Sequence, residues 1–417
     1  MLRRIVTAFA LSLMAVCVLA QQQFVIERIE VRNALRISPR LIAAETLLRE
    51  GETYSESDVR AAVARLSRLP FLLSASYALE NGSAPGRQVL VINVTEMRRF
   101  SFLVDARAIA LEGLGPTNKT DYDFPDPAAG WTNAAAGVRW SFRDGGVAHF
   151  GMTVLRNRQP FGTNYSAYEL GYTRYALFGT RLFATVNVRS PVDSLEEKTF
   201  TPEIVVGYPL TPSQTVTVDV QDTLFRDNLF PIGSNEFRQL HAQRRVSMAW
   251  TYDTTNQPYA PSRGTFVRVE PLRFMADRAS LRSSAPPLFF QTSADHLNAD
   301  GLELAALHDW ELSPIHSVFA GVQGGWASVH QREHPPLTPD IRWRPAYEIV
   351  KGGYSRALGA ARLELEGRLV AHQTNVREAP QNFDAFEHDR SAEVAASWVR
   401  RSVWGTLRLG AAYAHGF

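Results

Sequence analysis

The sequence predicts a mostly β protein, a transmembrane antiparallel β-barrel of about 14 to 16 strands preceded by one small α/β unit of order β-α-α-β-β. Three observations predict it. The chain opens with an export signal, residues 24–96 carry strand and helix periodicities in turn, and from residue 98 onward short alternating segments repeat through residue 417.

The opening Met1-Leu2-Arg3-Arg4 is a positive n-region, and the apolar run from Ile5 ends at Val18-Leu19-Ala20, just before three glutamines. This pattern places cleavage after Ala20 and makes residues 1–20 a signal peptide. The run of about 15 residues falls short of the roughly 20 needed to span a bilayer as a helix, so it is a signal and not an anchor. The single cysteine, Cys17, lies inside the signal, which leaves the mature chain without disulfides or thiol chemistry. Val16 fills the place where a lipoprotein signal has a small residue, which argues against lipidation at Cys17.

The chain is 45% hydrophobic and 11% aromatic, yet no later apolar run is long enough for a helical span. A formal net charge of +2, with no basic stripe interleaved with aromatics, gives no case for nucleic acid as a partner. No residue pattern calls for a metal or a cofactor.

Residues 24–96 read as one unit. Residues 24–31 alternate apolar and charged side chains and form a strand. Ser38-Pro39 supplies an N-cap with proline at the first helical position; Leu41, Ala44 and Leu48 follow on one face, and Gly51 stops the helix. Ser55-Glu56-Ser57-Asp58 is a capping-box pattern that opens a second helix with Val59, Val63, Leu66 and Leu69 on its apolar face, ended by Pro70. Residues 72–79 and 88–94 are strands joined by the turn-rich Asn81-Gly82-Ser83-Ala84-Pro85-Gly86. Two helices on one face of three short strands bury a core large enough for a domain of about 73 residues.

From Arg98 the texture changes to segments of strict alternation. Val138, Trp140 and Phe142 alternate with Arg139, Ser141 and Arg143, and after the turn Asp144-Gly145-Gly146 the apolar face resumes at Ala148, Phe150, Met152 and Val154. The same pattern recurs at Leu182-Ala184-Val186-Val188, Val216-Val218-Val220, Val246-Met248-Trp250-Tyr252 and Leu363-Leu365-Leu369. The intervening polar positions include Arg139, Arg181, Asp219, Arg245, Glu364, Glu366 and Arg368, expected in the water-filled lumen of any such barrel.

Alternation alone does not say whether the apolar face points into a soluble core or out to lipid. Three features favour lipid. The signal exports the chain; about 320 alternating residues exceed one ordinary soluble sandwich; and Trp140, Phe142, Trp250, Tyr252, Trp398 and Tyr413 sit near strand ends on the apolar face, as an interfacial girdle does.

Taken together, these residues resemble the BamA/TamA superfamily of outer-membrane proteins, as a short variant with a single POTRA domain and a surface-antigen-type barrel. Residues 24–96 resemble a POTRA domain, including Gly51-Glu52-Thr53-Tyr54-Ser55-Glu56-Ser57-Asp58-Val59 and the closing Val91-Ile92-Asn93-Val94-Thr95-Glu96. Residues 98–417 resemble the barrel. Within it, Asp253, Pro258 and Gly264 match a strand-turn-strand motif, and Ile349-Val350-Lys351-Gly352-Gly353-Tyr354 resembles the tip of a loop that folds back into the lumen.

Gly352 stands where the family has its arginine, so the resemblance leaves Lys351 or Arg356 to supply the positive charge toward a lumenal acid such as Glu364 or Glu366. Tyr413 and the terminal Phe417 resemble a last strand read by the barrel-assembly machinery, although residues 391–413 also resemble the family's antepenultimate and penultimate strands.

What the resemblance implies is a non-enzymatic assembly or translocation factor in the outer membrane, surrounded by its lipid. Its N-terminal domain in the periplasm receives extended client polypeptides along an open strand edge at residues 72–79, and its barrel inserts or passes them. A passive pore, or a degenerate barrel with a structural N-terminal domain, is the alternative. An enzyme is a third class. His330-Gln331-Arg332-Glu333-His334 has the letters of an inverted zinc-protease motif, but Pro335-Pro336 follow at once and a polar extracellular loop is expected there. Gly353-Tyr354-Ser355-Arg356-Ala357 approaches a nucleophile elbow but lacks its second glycine.

Overall fold

The computed structural model describes residues 23–112, 131–157, 165–191, 201–232, 235–258, 260–282, 291–334, 341–378 and 383–416. Residues 1–20, with the expected signal peptide, lie outside the described residues, as does Phe417.

The N-terminal unit runs β1 (Gln23–Arg32), α1 (Pro39–Glu45), β2 (Thr53–Ser55), α2 (Glu56–Arg68), β3 (Leu72–Asn81) and β4 (Arg87–Glu96). Its sheet has the order β2-β1-β4-β3, with β1 parallel to β4 and the outer pairs antiparallel. The short strand β2 was not expected. It forms because Thr53–Ser55 pairs with the start of β1, a contact between distant residues that leaves no local periodicity.

The capping box of α2 forms as expected. Ser55 Oγ accepts from Asp58 N and Asp58 Oδ2 accepts from Ser55 N at 2.9 Å. Helix α1 departs from expectation at both ends. The Ser38 side chain caps nothing, and the helix stops at Glu45, six residues before Gly51. Thr46 Oγ1 donates to Ala43 O at 2.6 Å, and Leu47 then turns left-handed at φ 62°. Both helices pack on one face of the sheet over Ile26, Ile42, Val59, Leu66, Leu90 and Ile92, all fully buried. Each such side chain contributes about 1.5–3 kcal/mol over its exposed state.

Fifteen strands form the barrel: β5 (Phe100–Glu112), β6 (Trp131–Ser141), β7 (Gly146–Asn157), β8 (Tyr165–Arg174), β9 (Phe183–Pro191), β10 (Thr201–Thr211), β11 (Gln214–Ile232), β12 (Asn235–Asp253), β13 (Gly264–Arg282), β14 (Gln291–Ser313), β15 (His316–His334), β16 (Ile341–Leu358), β17 (Ala361–Glu378), β18 (Phe383–Ser402) and β19 (Gly405–Gly416). Each pairs antiparallel with the next, and β19 closes on β5. The all-antiparallel expectation fails at this one seam. With an odd number of alternating strands the first and last point the same way, so β19 and β5 pair parallel, from Gly405 opposite Phe102 to His415 opposite Glu112.

The strands on one side outgrow the expected ten-residue segments, reaching 23 residues in β14. About ten residues suffice to cross a bilayer in a tilted barrel, so these hairpins continue past it. His330–His334 therefore belongs to β15 rather than to a loop, paired throughout with β14 and, at His330 and Gln331, with β16. Its extended backbone lacks the helix that the protease chemistry needs.

Along most strands the alternation sorts the described residues into two faces. Phe102, Trp140, Phe150, Leu170, Val186, Ile204, Val218, Met248, Trp326, Leu369, Val394 and Leu409 are exposed outside the wall, Leu170 by 58% and Val394 by 66%. The intervening positions carry charge and hydroxyls, or are buried. A closed barrel wearing an apolar belt on strand after strand meets hydrocarbon, not water, on its outside. At the end where β5 begins, the belt finishes in touching rings. Phe100 meets Trp140 at 4.9 Å, Trp140 stacks on Phe142 at 5.2 Å, and Phe142 meets Tyr172 at 6.3 Å. Trp250 stacks on Tyr252 farther round.

Candidate functional site

The chain enters β5 directly from β4, so the N-terminal domain sits at the barrel end where the β6–β7, β8–β9, β10–β11, β12–β13, β14–β15, β16–β17 and β18–β19 turns lie. Most of these turns grip the domain. Ser38 N donates to Arg143 O at 3.1 Å, and Leu41 packs on Gly145 so closely that a Cβ there would lie 2.6 Å from its Cδ2. Phe71, 1% exposed, meets the Tyr175 ring edge-on at 5.6 Å. Val147, Tyr175 and Ala176 join the domain's own hydrophobic core.

Three arginines staple this contact. Arg181 Nη2 donates to Leu47 O at 3.3 Å. Arg401 donates to Ser67 O, Leu72 O and Leu73 O at 3.2, 2.8 and 2.9 Å. Arg68, at the end of α2, donates to Thr255 O at 2.7 Å and pairs with Asp253 at 3.2 Å. Burial lowers the Arg68 guanidinium from its usual value, an effect that Asp253 opposes and neighbouring Arg65 reinforces.

Asp253 thus has a place in the turn motif that the sequence singled out. One carboxylate oxygen accepts from Thr255 N at 2.9 Å and Thr255 Oγ1 at 2.6 Å, and the other faces Arg68. Gly264, at φ 116°, closes the same turn where a Cβ would lie 2.5 Å from Thr254 O. Pro258 is exposed between them, in a span that buries Thr255, Ala260 and Ser262.

Inside the barrel the charges pair across strands. On one wall Glu169 accepts from Arg189 at 2.7 Å and meets His149 at 3.1 Å, and Asn187 donates to Glu203 at 2.6 Å. Glu270 takes Arg245 at 2.9 Å, Arg268 at 2.6 Å and Ser247 Oγ at 2.7 Å. Beside it lies a cavity of about 440 Å³ lined by Phe266, Glu303, Gln323 and Tyr347. On the opposite wall Glu364 pairs with Arg408 at 3.3 Å and Arg368 with Glu393, while Arg362 donates to Ser317 Oγ and Ser355 Oγ at 2.7 and 2.6 Å. Among the described residues no three His, Cys, Asp or Glu side chains gather as a metal site.

Asp219, Arg245, Glu364, Glu366 and Arg368 are opposite in phase to the exposed Val218, Met248, Leu365 and Leu369. Arg181, expected in the lumen with them, instead holds the domain.

The expected lumen loop is also corrected. Lys351, Gly352, Gly353, Tyr354 and Arg356 lie inside β16, with Lys351 opposite Gly321 and Arg368. One of the two glycines that suggest a loop, Gly353, serves close packing instead. A Cβ at Gly353 would sit 2.2 Å from Leu365 O and 2.4 Å from the Phe319 ring. Tyr354 hydrogen-bonds and stacks on His316, Arg356 is exposed on the same phase as Val350 and Leu358, and Glu364 has taken Arg408. Tyr413 is on the outward face, 45% exposed. Sequence reasoning missed Arg68, Arg401, Phe71 and Tyr175, because their acceptors are backbone carbonyls and ring edges on distant elements.

No family model and no curated protein sequence matches the chain. Solved structures with a similar course include BamA from Haemophilus ducreyi lacking POTRA domains 1–3, at 12% identity and a TM-score of 0.42 over 94% of this chain and 81% of that one. CdiB from Acinetobacter baumannii is similar at 8% identity and a TM-score of 0.40, over 95% of this chain and 74% of that one. The ferric citrate transporter FecA follows at 9% identity and 0.33, over 78% and 60%. These likenesses settle no family.

Proposed function

We propose that this protein is an outer-membrane assembly or translocation factor of the BamA/TamA kind. Its N-terminal domain, residues 24–96, acts as a POTRA domain in the periplasm, and its barrel, residues 98–417, inserts or passes extended client polypeptides. The protein is not an enzyme, and its own barrel reaches the membrane through the assembly machinery.

The observation that carries this reading is β3. It is an outer strand of its sheet, paired among the described residues only with β4. Gly82 N donates toward β4, to Arg87 O at 3.0 Å, whereas Ala75 N turns the other way to Ser67 Oγ at 3.1 Å. Odd-numbered residues of β3 therefore present N–H and C=O at the open edge. Ser67 already occupies Ala75, and Tyr77, Leu79 and Asn81 are left to receive an extended chain by main-chain hydrogen bonds, which tolerate many client sequences.

A proline at Leu79 removes an edge donor without touching the β4 ladder, whereas a proline at Ala78 breaks the ladder itself. In full-length protein, Leu79→Pro should lose binding of extended peptides while retaining its circular dichroism, and Ala78→Pro should lose both. Peptide binding by a folded Leu79→Pro protein would sink strand addition at this edge.

The docked domain favours a second reading, a barrel whose N-terminal domain is a structural plug. Phe71, Leu41 and the three arginine staples fix the domain over the mouth. A deletion of residues 24–96 that preserved all activity would decide for the passive barrel.

A further inference from the structure

The β8–β9 turn is built unlike the other turns of its end. Ala176, Phe178 and Gly179 all take left-handed backbone, at φ 49°, 55° and 70°, and two of the three are not glycine. For a bulky residue such as phenylalanine this region is strained. The turn is nevertheless tightly laced. Leu177 N donates to Leu182 O at 2.8 Å, Gly179 N to Ala176 O at 3.0 Å, and Thr180 N and Oγ1 both to Leu177 O at 3.0 and 2.7 Å.

The product of this construction is one side chain. Phe178 is 89% exposed, while the stem below it is committed to the domain through Tyr175, Ala176 and Arg181. A bare aromatic ring in water returns nothing for the strain that presents it; seated at a membrane interface, it does.

The neighbours of the turn supply that interface. Tyr172, on the strand leading into the turn, ends the run of lipid-facing rings that passes through Phe100, Trp140 and Phe142. The adjoining β6–β7 turn is tied to this one by Tyr175 N donating to Gly145 O at 3.2 Å, and its Phe142 belongs to the same run of rings. We propose that the β8–β9 turn is a membrane-inserting wedge, with Phe178 seated among phospholipid headgroups and upper acyl chains on the domain side of the bilayer. The proposal rests on the reading of the barrel as membrane-embedded.

Single cysteines for an environment-sensitive fluorophore are introduced into the full chain, with Cys17 changed to serine. Phe178→Cys tests the turn, Leu170→Cys reports the lipid-facing belt, and Ala84→Cys reports the β3–β4 turn at the far end of the domain. The proteins are reconstituted in phosphatidylethanolamine–phosphatidylglycerol vesicles with and without a lipid-borne nitroxide. The expected result is blue-shifted emission and quenching at positions 178 and 170, each several-fold stronger than at 84. Lipid-like signals at 170 with water-like emission at 178 overturn the wedge and leave the embedded barrel standing. Water-like emission at both overturns the wedge together with the membrane reading beneath it.

Discussion

Glu96 closes the domain against the barrel, and its removal has a cost that the geometry fixes. The carboxylate, 3% exposed at the end of β4, accepts from Leu35 N at 3.1 Å, Arg36 N at 2.9 Å, Ile37 N at 2.9 Å and Arg36 Nε at 3.2 Å. It thereby holds the loop whose next residue, Ser38, bonds the barrel at Arg143.

In Glu96→Ala three backbone donors lose their acceptor. Leu35 and Arg36 are exposed enough to find water, but Ile37 is 4% exposed and cannot. At Ile37 alone, the unsatisfied buried amide costs about 1–3 kcal/mol and the lost charge-assisted bond about 1.5 kcal/mol, so local opening becomes easier by roughly 2.5–4.5 kcal/mol. At 1.4 kcal/mol per tenfold, hydrogen exchange at Ile37 should accelerate by at least about 50-fold. Glu96→Gln, which keeps one carbonyl oxygen, should fall between. The assay is hydrogen–deuterium exchange on full-length protein in detergent. Exchange at Ile37 within about threefold of the parent would refute the claim that this carboxylate holds the loop.

Two further predictions test other parts of the fold. Gly405 begins β19 at φ 140°, where a Cβ would lie 1.9 Å from Phe102 O; Gly405→Val should open the β19–β5 seam and abolish the compact, heat-modifiable form on semi-native gels, whereas Gly359→Ala, with nothing within 4 Å and only the left-handed backbone at φ 63° to strain by about 1–2 kcal/mol, should leave it intact. The phenols of Tyr54 and Tyr77 are raised, chiefly by burial and then by Glu52 and Glu56, so the neutral form is the one the fold favours. Their contribution to stability is present below the ordinary tyrosine range and lost as pH rises through the raised values, and the ionisation seen by ultraviolet difference spectroscopy against Tyr54→Phe/Tyr77→Phe should lie above that of a free phenol.

Whatever repeats along the chain was legible in the sequence. The period-two alternation located the barrel wall and sorted Asp219, Arg245 and Glu364 from Val218, Met248 and Leu365, because each strand residue has only two faces to choose from. The Ser55–Asp58 box was legible because both partners lie within one turn. What stayed hidden depends on distant partners. Strand β2 is three residues that become a strand only when β1 lies beside them. Lys351-Gly352-Gly353-Tyr354 looks like a flexible loop until Phe319 and the Leu365 carbonyl are seen to need the space. Arg181 reads as one more lumenal charge, since a backbone carbonyl such as that of Leu47 leaves no mark in a sequence.

The same hidden contacts set the terms on which the barrel could carry a client. Lifting the domain from the mouth breaks three bonds from Arg401 and the Arg68 contacts to Thr255 and Asp253, and parts Phe71 from Tyr175. Most of those guanidinium bonds end on carbonyls that water can reach once the surfaces separate, so each contributes little net. The apolar part does not recover in this way. Exposing Phe71 and Val147 costs about 1.5–3 kcal/mol apiece. A client can shift that equilibrium only by binding the lifted state more tightly than the docked one. The open edge at Tyr77, Leu79 and Asn81 belongs to the same strand whose first residues, Leu72 and Leu73, are held by Arg401. Strand addition along β3, as proposed, would thus act on the element that the barrel grips. Arg401→Ala should accordingly increase proteolysis of the domain from full-length protein and strengthen peptide binding at the edge; weaker grip with unchanged peptide affinity would separate docking from client capture.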